Sequence, residues 1–144
     1  MKNIGGEPQK LIAEKVLEIG KFQFFSNVIV GEFNDGVHVT HEKLALPLQM
    51  AREVYGDSVP VVYLSHRVHS YSSNPIGHKK LIAQFPNFVG FGVVSNNRYR
   101  RGLIRLEKHF IKGPVQVFYE LQEAFDWAER LLGDRLMVPS EPER

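Results

Sequence analysis

Lys21-Phe22-Gln23-Phe24-Phe25-Ser26-Asn27-Val28-Ile29-Val30-Gly31-Glu32-Phe33 is the stretch on which the fold turns. Phe22 and Phe24 alternate with Lys21 and Gln23, and Val28, Val30 and Glu32 carry a second β-rich run. Alternation of period two marks a strand with one buried face. Ser26-Asn27 separates the runs, and asparagine tolerates a positive φ, so the stretch reads as a hairpin closed by a two-residue turn. Asp35-Gly36 marks the next turn. Upstream, Leu11 to Ile19 holds enough Ile, Val and Leu for an additional strand, although its alternation is imperfect. Met1 to Gln9 is polar and expected to fray.

Beyond the hairpin the pattern changes period. Leu44, Leu48, Ala51 and Tyr55 recur on one helical face, with Thr40 as the expected cap, Glu42 in the first turn and Gly56 at the end. Pro47 predicts a bend in that helix. Val59 to Ser65 reads as a buried strand with Pro60 near its start. The polar loop His66 to Ser73 follows. Asn74-Pro75 then opens a helix running to about Phe85. Val89 to Ser95 is a further buried strand, in which Gly90 and Gly92 allow close backbone approach. Arg98 to Ile111 reads as a helix stopped by Gly113-Pro114, and Val115 to Phe118 as a short strand. Tyr119 to Leu132 is the last helix, with Leu121, Ala124, Phe125, Ala128, Leu131 and Leu132 as its apolar stripe. The order is (β)ββαβαβαβα, an α/β domain with a mixed sheet and helices packed on it. The domain is placed at 21–133, after an extension at 1–20 and before a flexible tail at 134–144.

Composition narrows the function classes. The chain has 144 residues, enough for one domain with a core of its own. It has no cysteine, which excludes disulfides, thiolate catalysis and Cys-based zinc sites. The net charge of +2 is too small to imply a nucleic-acid partner. Glu14, Lys15 and Glu18 interrupt the apolar run near the start, so no signal peptide is read there, and no run is long enough to span a membrane. A cytoplasmic location is expected.

Four segments carry a resemblance to a known family. They are Val28-Ile29-Val30-Gly31-Glu32-Phe33, Val61-Val62-Tyr63-Leu64-Ser65, the loop Arg67-Val68-His69-Ser70-Tyr71-Ser72-Ser73-Asn74-Pro75, and Val117-Phe118 leading into Ala124-Phe125-Asp126-Trp127. Together with the element order they resemble the SpoIIAA-like group, also called STAS/SEC14-like, over roughly residues 20–132. The resemblance implies a small non-enzymatic module that binds a partner or an apolar ligand. Phosphorylatable antagonists of this type carry an Asp-Ser-Ser/Thr-Gly turn. Here Ser70-Tyr71-Ser72-Ser73-Asn74-Pro75 replaces it with no acid before the serines, so that switch is not carried over.

The candidate site is the loop itself. It leaves the C-terminal end of a central strand and meets a helix start, where ligands and anions gather in open α/β sheets. Arg67, His69, Ser70, Tyr71, Ser72, Ser73 and Asn74 are the candidate binding residues, against the plainer reading that Ser72, Ser73 and Asn74 cap the helix. A phosphoryl group on Ser72 or Ser73 would sit well there. Arg98, Arg100, Arg101 and Arg105 form a basic face that could dock on an anionic membrane, an acidic protein or, least of all, a nucleic acid. Its simpler reading is a solvated face opposite Glu120, Glu123, Asp126 and Glu129. A charge-complementary homodimer is a further partner that such faces allow. The pairs His38/His41 and His66/His69 lack the convergent set a metal needs. Gly90-Phe91-Gly92 lacks a Walker lysine, and no nucleophile elbow is present. No metal, no cofactor and no catalysis are therefore expected. The leading expectation is a regulatory or scaffolding module that binds a protein through the Arg67 loop. Its alternative is a carrier or sensor of a small amphiphile in an apolar cavity with basic groups at the mouth.

Overall fold

The computed structural model describes residues 9–67, 72–73, 83–95 and 114–137. Six strands form one sheet in the order β1(Leu11–Leu17), β2(Gly20–Phe25), β3(Val28–Phe33), β5(Val61–His66), β7(Phe88–Val94), β8(Val115–Phe118). β1 pairs β2 and β2 pairs β3 antiparallel, whereas β3, β5, β7 and β8 are mutually parallel. The opening hairpin therefore supplies the antiparallel half of a mixed sheet. The additional strand read at Leu11 to Ile19 is β1, on the sheet's edge. Two further short strands, β4(His38–Val39) and β6(Ser72–Ser73), pair with each other alone.

The sheet separates two apolar layers. On one face Phe22, Phe24, Ile29, Phe33 and Val61 pack under α1(Ala45–Tyr55) through Leu48, Ala51 and Tyr55. On the other, Val28, Val30, Val62, Leu64 and Val94 pack under α2(Leu121–Met137) through Ala124, Phe125, Ala128 and Leu132. Both helical stripes are those that the apolar spacing picks out. The helices read at Pro75–Phe85 and Arg98–Ile111 lie outside the described residues, save that 83–84 are helical.

Pro47 does not bend its helix. A 3-10 turn, Glu42–Leu44, comes first, and α1 starts at Ala45, so Pro47 falls in the first turn where no N–H is needed. Thr40 caps that turn, its Oγ1 accepting from the Lys43 N–H at 3.3 Å. α2 also differs in extent. It starts at Leu121, with the Glu123 carboxylate accepting the Glu120 N–H at 3.2 Å as half of a capping box. It runs through Gly133 to Met137, so 134–137 are helix rather than tail.

Buried polar groups tie the hairpin down. The Asn27 amide donates to the Pro60 carbonyl at 3.1 Å, linking the β2–β3 turn to the approach to β5. Tyr55, at the end of α1, donates its hydroxyl to the Phe25 carbonyl at 2.5 Å and lies 3.3 Å from that of Val28. Burial pushes the Tyr55 phenol well above its ordinary value. A raised folded pKa means that this group's stabilising contribution is complete below pH 10.0, where the unfolded phenol ionises, and is lost as pH rises further. Tyr55→Phe should cost about 1–3 kcal/mol at neutral pH, because the Phe25 carbonyl loses its hydroxyl donor. It should also flatten the alkaline fall in stability by up to about 1.4 kcal/mol per pH unit. Urea titrations of both proteins from pH 8 to pH 11 measure both effects.

Candidate functional site

β5 builds the site. Its residues alternate between the two faces, so Val62, Leu64 and His66 turn toward α2, while Tyr63, Ser65 and Arg67 come in series onto the α1 side. There they border a partly open cavity of about 60 Å³. Phe22 and Phe24 from β2, Phe33 from β3, and Phe88 and Phe91 from β7 wall it, and Leu44, Pro47, Leu48 and Ala51 close it from the helix side. Among the described residues the wall is apolar everywhere except along β5.

The aromatic wall holds two groups of rings in contact. Tyr63 meets Phe88 and Phe91 edge-on at centroid distances of 6.0 and 5.9 Å, and Phe88 packs on Phe91 at 5.1 Å. Phe22 and Phe33 make a T-shaped pair at 5.5 Å. Such interlocked rings hold their positions and give the cavity a fixed shape. Gly31 is part of the design. The Tyr63 hydroxyl reaches over β3 into the space a Cβ at position 31 would occupy, so a larger residue there would have to push the ring aside.

The polar end is the end of β5. Ser65 is 6% exposed and Arg67 is half-buried. The Arg67 N–H donates to the Val94 carbonyl at 2.8 Å, which continues the β5–β7 ladder and fixes where the guanidinium starts. On the opposite face His66 Nδ1 lies 3.9 Å from the Glu32 carboxylate, so that pair takes no part in the cavity.

Of the seven loop residues singled out from sequence, the structure places Arg67 at this cavity. Ser72 and Ser73 form β6, in parallel register with His38 and Val39, so they are strand rather than free loop. His69, Ser70, Tyr71 and Asn74 lie outside the described residues, as do Arg98, Arg100, Arg101 and Arg105 of the basic face. The final helix keeps Glu120, Glu123 and Asp126 exposed, while Glu129 is half-buried. Tyr63 and Ser65 join the site beyond the loop residues, and their signal in the sequence is the alternate-residue progression Val61, Tyr63, Ser65, Arg67 along an otherwise apolar stretch. The close approach expected at Gly90 and Gly92 is present, but it serves α2. A Cβ at 90 would stand 2.5 Å from Leu131, and one at 92 would stand 2.6 Å from Leu64 and 3.4 Å from Trp127. The space on their α2 side is filled, and the cavity lies across the sheet from it, where the Gly92 backbone forms part of the wall.

No protein-family model matches the sequence, and no curated protein matches it. Among solved structures, an uncharacterised protein from the DUF3478 family with a SpoIIAA-like fold, from Shewanella loihica PV-4, superimposes with a TM-score of 0.51 at 14% identity. The match covers 83% of this chain and 94% of that one. The fold is SpoIIAA-like. That agrees with the mixed sheet, the opening hairpin and the helices on both faces. At this identity the SpoIIAA-like likeness speaks for architecture alone, and the function has to be argued from the cavity's own chemistry. Among the described residues no helix is long and apolar enough to cross a membrane.

Proposed function

We propose that this protein is a non-enzymatic regulatory module that senses a small amphiphile held between α1 and the sheet. One observation carries the reading: Tyr63, Ser65 and Arg67 turn in series toward a cavity otherwise walled by phenylalanine and aliphatic side chains. A mostly apolar pocket with a few convergent polar groups at one end is the usual form of a small-molecule site, the polar groups fixing orientation. Its volume of about 60 Å³ sets the scale of the occupant. Sites for drug-sized ligands run to roughly 300–1,000 Å³, so the cavity suits a small apolar group with a polar head rather than a whole lipid tail.

A native mass spectrum of protein purified gently from its own cells, beside a denaturing spectrum of the same sample, tests the proposal. The expected result is an added small mass that disappears on denaturation and is absent from Arg67→Ala. A bare chain in both proteins would overturn it.

A second reading, binding to a protein partner, draws on β1. This edge strand pairs with β2 alone among the described strands, and Leu11, Ile12 and Val16 on it are 50%, 55% and 72% exposed. Unpaired edges with apolar side chains invite pairing with another strand, including one from a second copy. On this reading Val16→Lys blocks association that light scattering detects as protein concentration rises, whereas Arg67→Ala leaves it intact.

A further inference from the structure

We infer that the cavity takes a short-chain monocarboxylate, with its carboxylate at Ser65 and Arg67 and two or three apolar carbons among the phenylalanines. This deepens the reading of the cavity as a ligand site and rests on it. Three observations converge on that chemistry.

The first is the charge. Arg67 is the cationic side chain among the described residues lining the cavity, and no carboxylate lines it there. A guanidinium has five N–H donors in a planar fork, so it can serve a neighbour in the protein and a carboxylate together. Among the described residues the site thus offers one cation in apolar surroundings, which suits a monoanion. A phosphate dianion would have to shed more hydration than a single guanidinium and a hydroxyl return.

The second is the register. Ser65 on β5 and Arg67, which continues its pairing with β7 one residue past its end, are alternate residues on one face, so their bases stand about 6.6 Å apart and both side chains point the same way. A carboxylate between them accepts from the Ser65 hydroxyl on one oxygen and from Arg67 on the other. The apolar end of its chain then runs toward Phe22, Phe24 and Phe91, under Ala51 of α1.

The third is size. An apolar cavity of about 150 Å³ is enough for the six carbons of benzene. By that proportion the 60 Å³ here holds two or three carbons. The class is thus propionate, butyrate and their close branched relatives, and not long-chain fatty acids.

The test is a methyl-region NMR titration of the full chain with straight-chain carboxylates from acetate to octanoate, beside 1-propanol and 1-butanol. Affinity should rise about fourfold per methylene while the chain is entering the cavity, then level off near butyrate. The alcohols should bind at least about tenfold more weakly. Arg67→Gln should bring butyrate down to the alcohol's level without changing the alcohol. Ala51→Leu adds three carbons to the cavity's helix side and should abolish both at an unchanged or raised thermal midpoint, with Ala51→Val as the smaller plug if leucine overfills the space.

Alcohols binding as tightly as the acids would overturn the carboxylate inference while leaving the cavity as a ligand site. Binding that keeps tightening to octanoate would overturn the size argument. No binding of either series would overturn both this inference and the reading beneath it.

Discussion

Gly20→Ala is expected to destabilise the fold by about 3 kcal/mol or more, lowering the thermal midpoint by roughly 6–12 °C. Gly20 opens β2, opposite Leu17 across the first turn and opposite Phe33 in the β2–β3 register. A Cβ there would collide with the carbonyl oxygen of Glu32 and come within 2.8 Å of the Phe33 Cα. Both obstacles are backbone of the neighbouring strand, so no rotamer change relieves them, and β2 and β3 must part at that end. Those two strands carry Phe22, Phe24, Ile29 and Phe33 of the cavity wall. The sign of the effect is informative. Where space allows, replacing glycine stabilises by restricting the unfolded chain, by about 0.4–1 kcal/mol. Gly36 is the control: its φ is +78°, and nothing lies within 4 Å of a Cβ there, so Gly36→Ala meets only the left-handed backbone penalty of about 1–2 kcal/mol. Denaturant unfolding of the two variants, run side by side, compares them. Equal losses would show that the β2–β3 contact yields more readily than its geometry indicates.

The hairpin and both helical stripes were legible because each reports itself in a short window. Alternation at Phe22 and Phe24 and the spacing of Leu44, Leu48, Ala51 and Tyr55 are local signals, and each of those side chains is buried as its spacing demands. The site was less legible because its signal is split across elements. Val59 to Ser65 reads as a buried strand from composition, and the strand runs from Val61 to His66, but the cavity depends on which alternate set faces α1. That choice is set by pairing with β3 and β7, including a register shift between Val61 and Val62 that a single sequence does not display. The same register points the Cβ positions of Gly90 and Gly92 toward α2, so Gly92 meets the cavity with its backbone alone.

Longer-range facts were harder still. The bridge of His38 and Val39 with Ser72 and Ser73 joins segments more than thirty positions apart and leaves no periodicity to find. Asn27 was read for its tolerance of a positive φ, whereas its amide works at a distance, on the Pro60 carbonyl. Pro47 was read as an interruption because the preceding turn, which moves the helix start to Ala45, has no signature that distinguishes it from a first helical turn.

Phe24→Ala joins the stability of the fold to the size of its site. Phe24 is 1% exposed, packs in the layer beneath α1 and lines the cavity. Removing a buried ring costs about 3–5 kcal/mol, from lost transfer free energy and from the space left behind. For a domain of this size that is a fall of about 10 °C in the thermal midpoint. Phe125→Ala, at a side chain 5% exposed in the α2 layer, belongs to the same class of loss and supplies the comparison. The two should differ in binding. In Phe24→Ala the space opened is continuous with the cavity, so longer carboxylates find room and the levelling-off moves from near butyrate toward chains several carbons longer. In Phe125→Ala the new space lies across the sheet and the levelling-off stays where it was. Calorimetric melting beside the same carboxylate titration reads both quantities in each variant. A shift of equal size in both would mean that the chain-length limit follows general loosening of the core, and the cavity under α1 would lose its claim to set it.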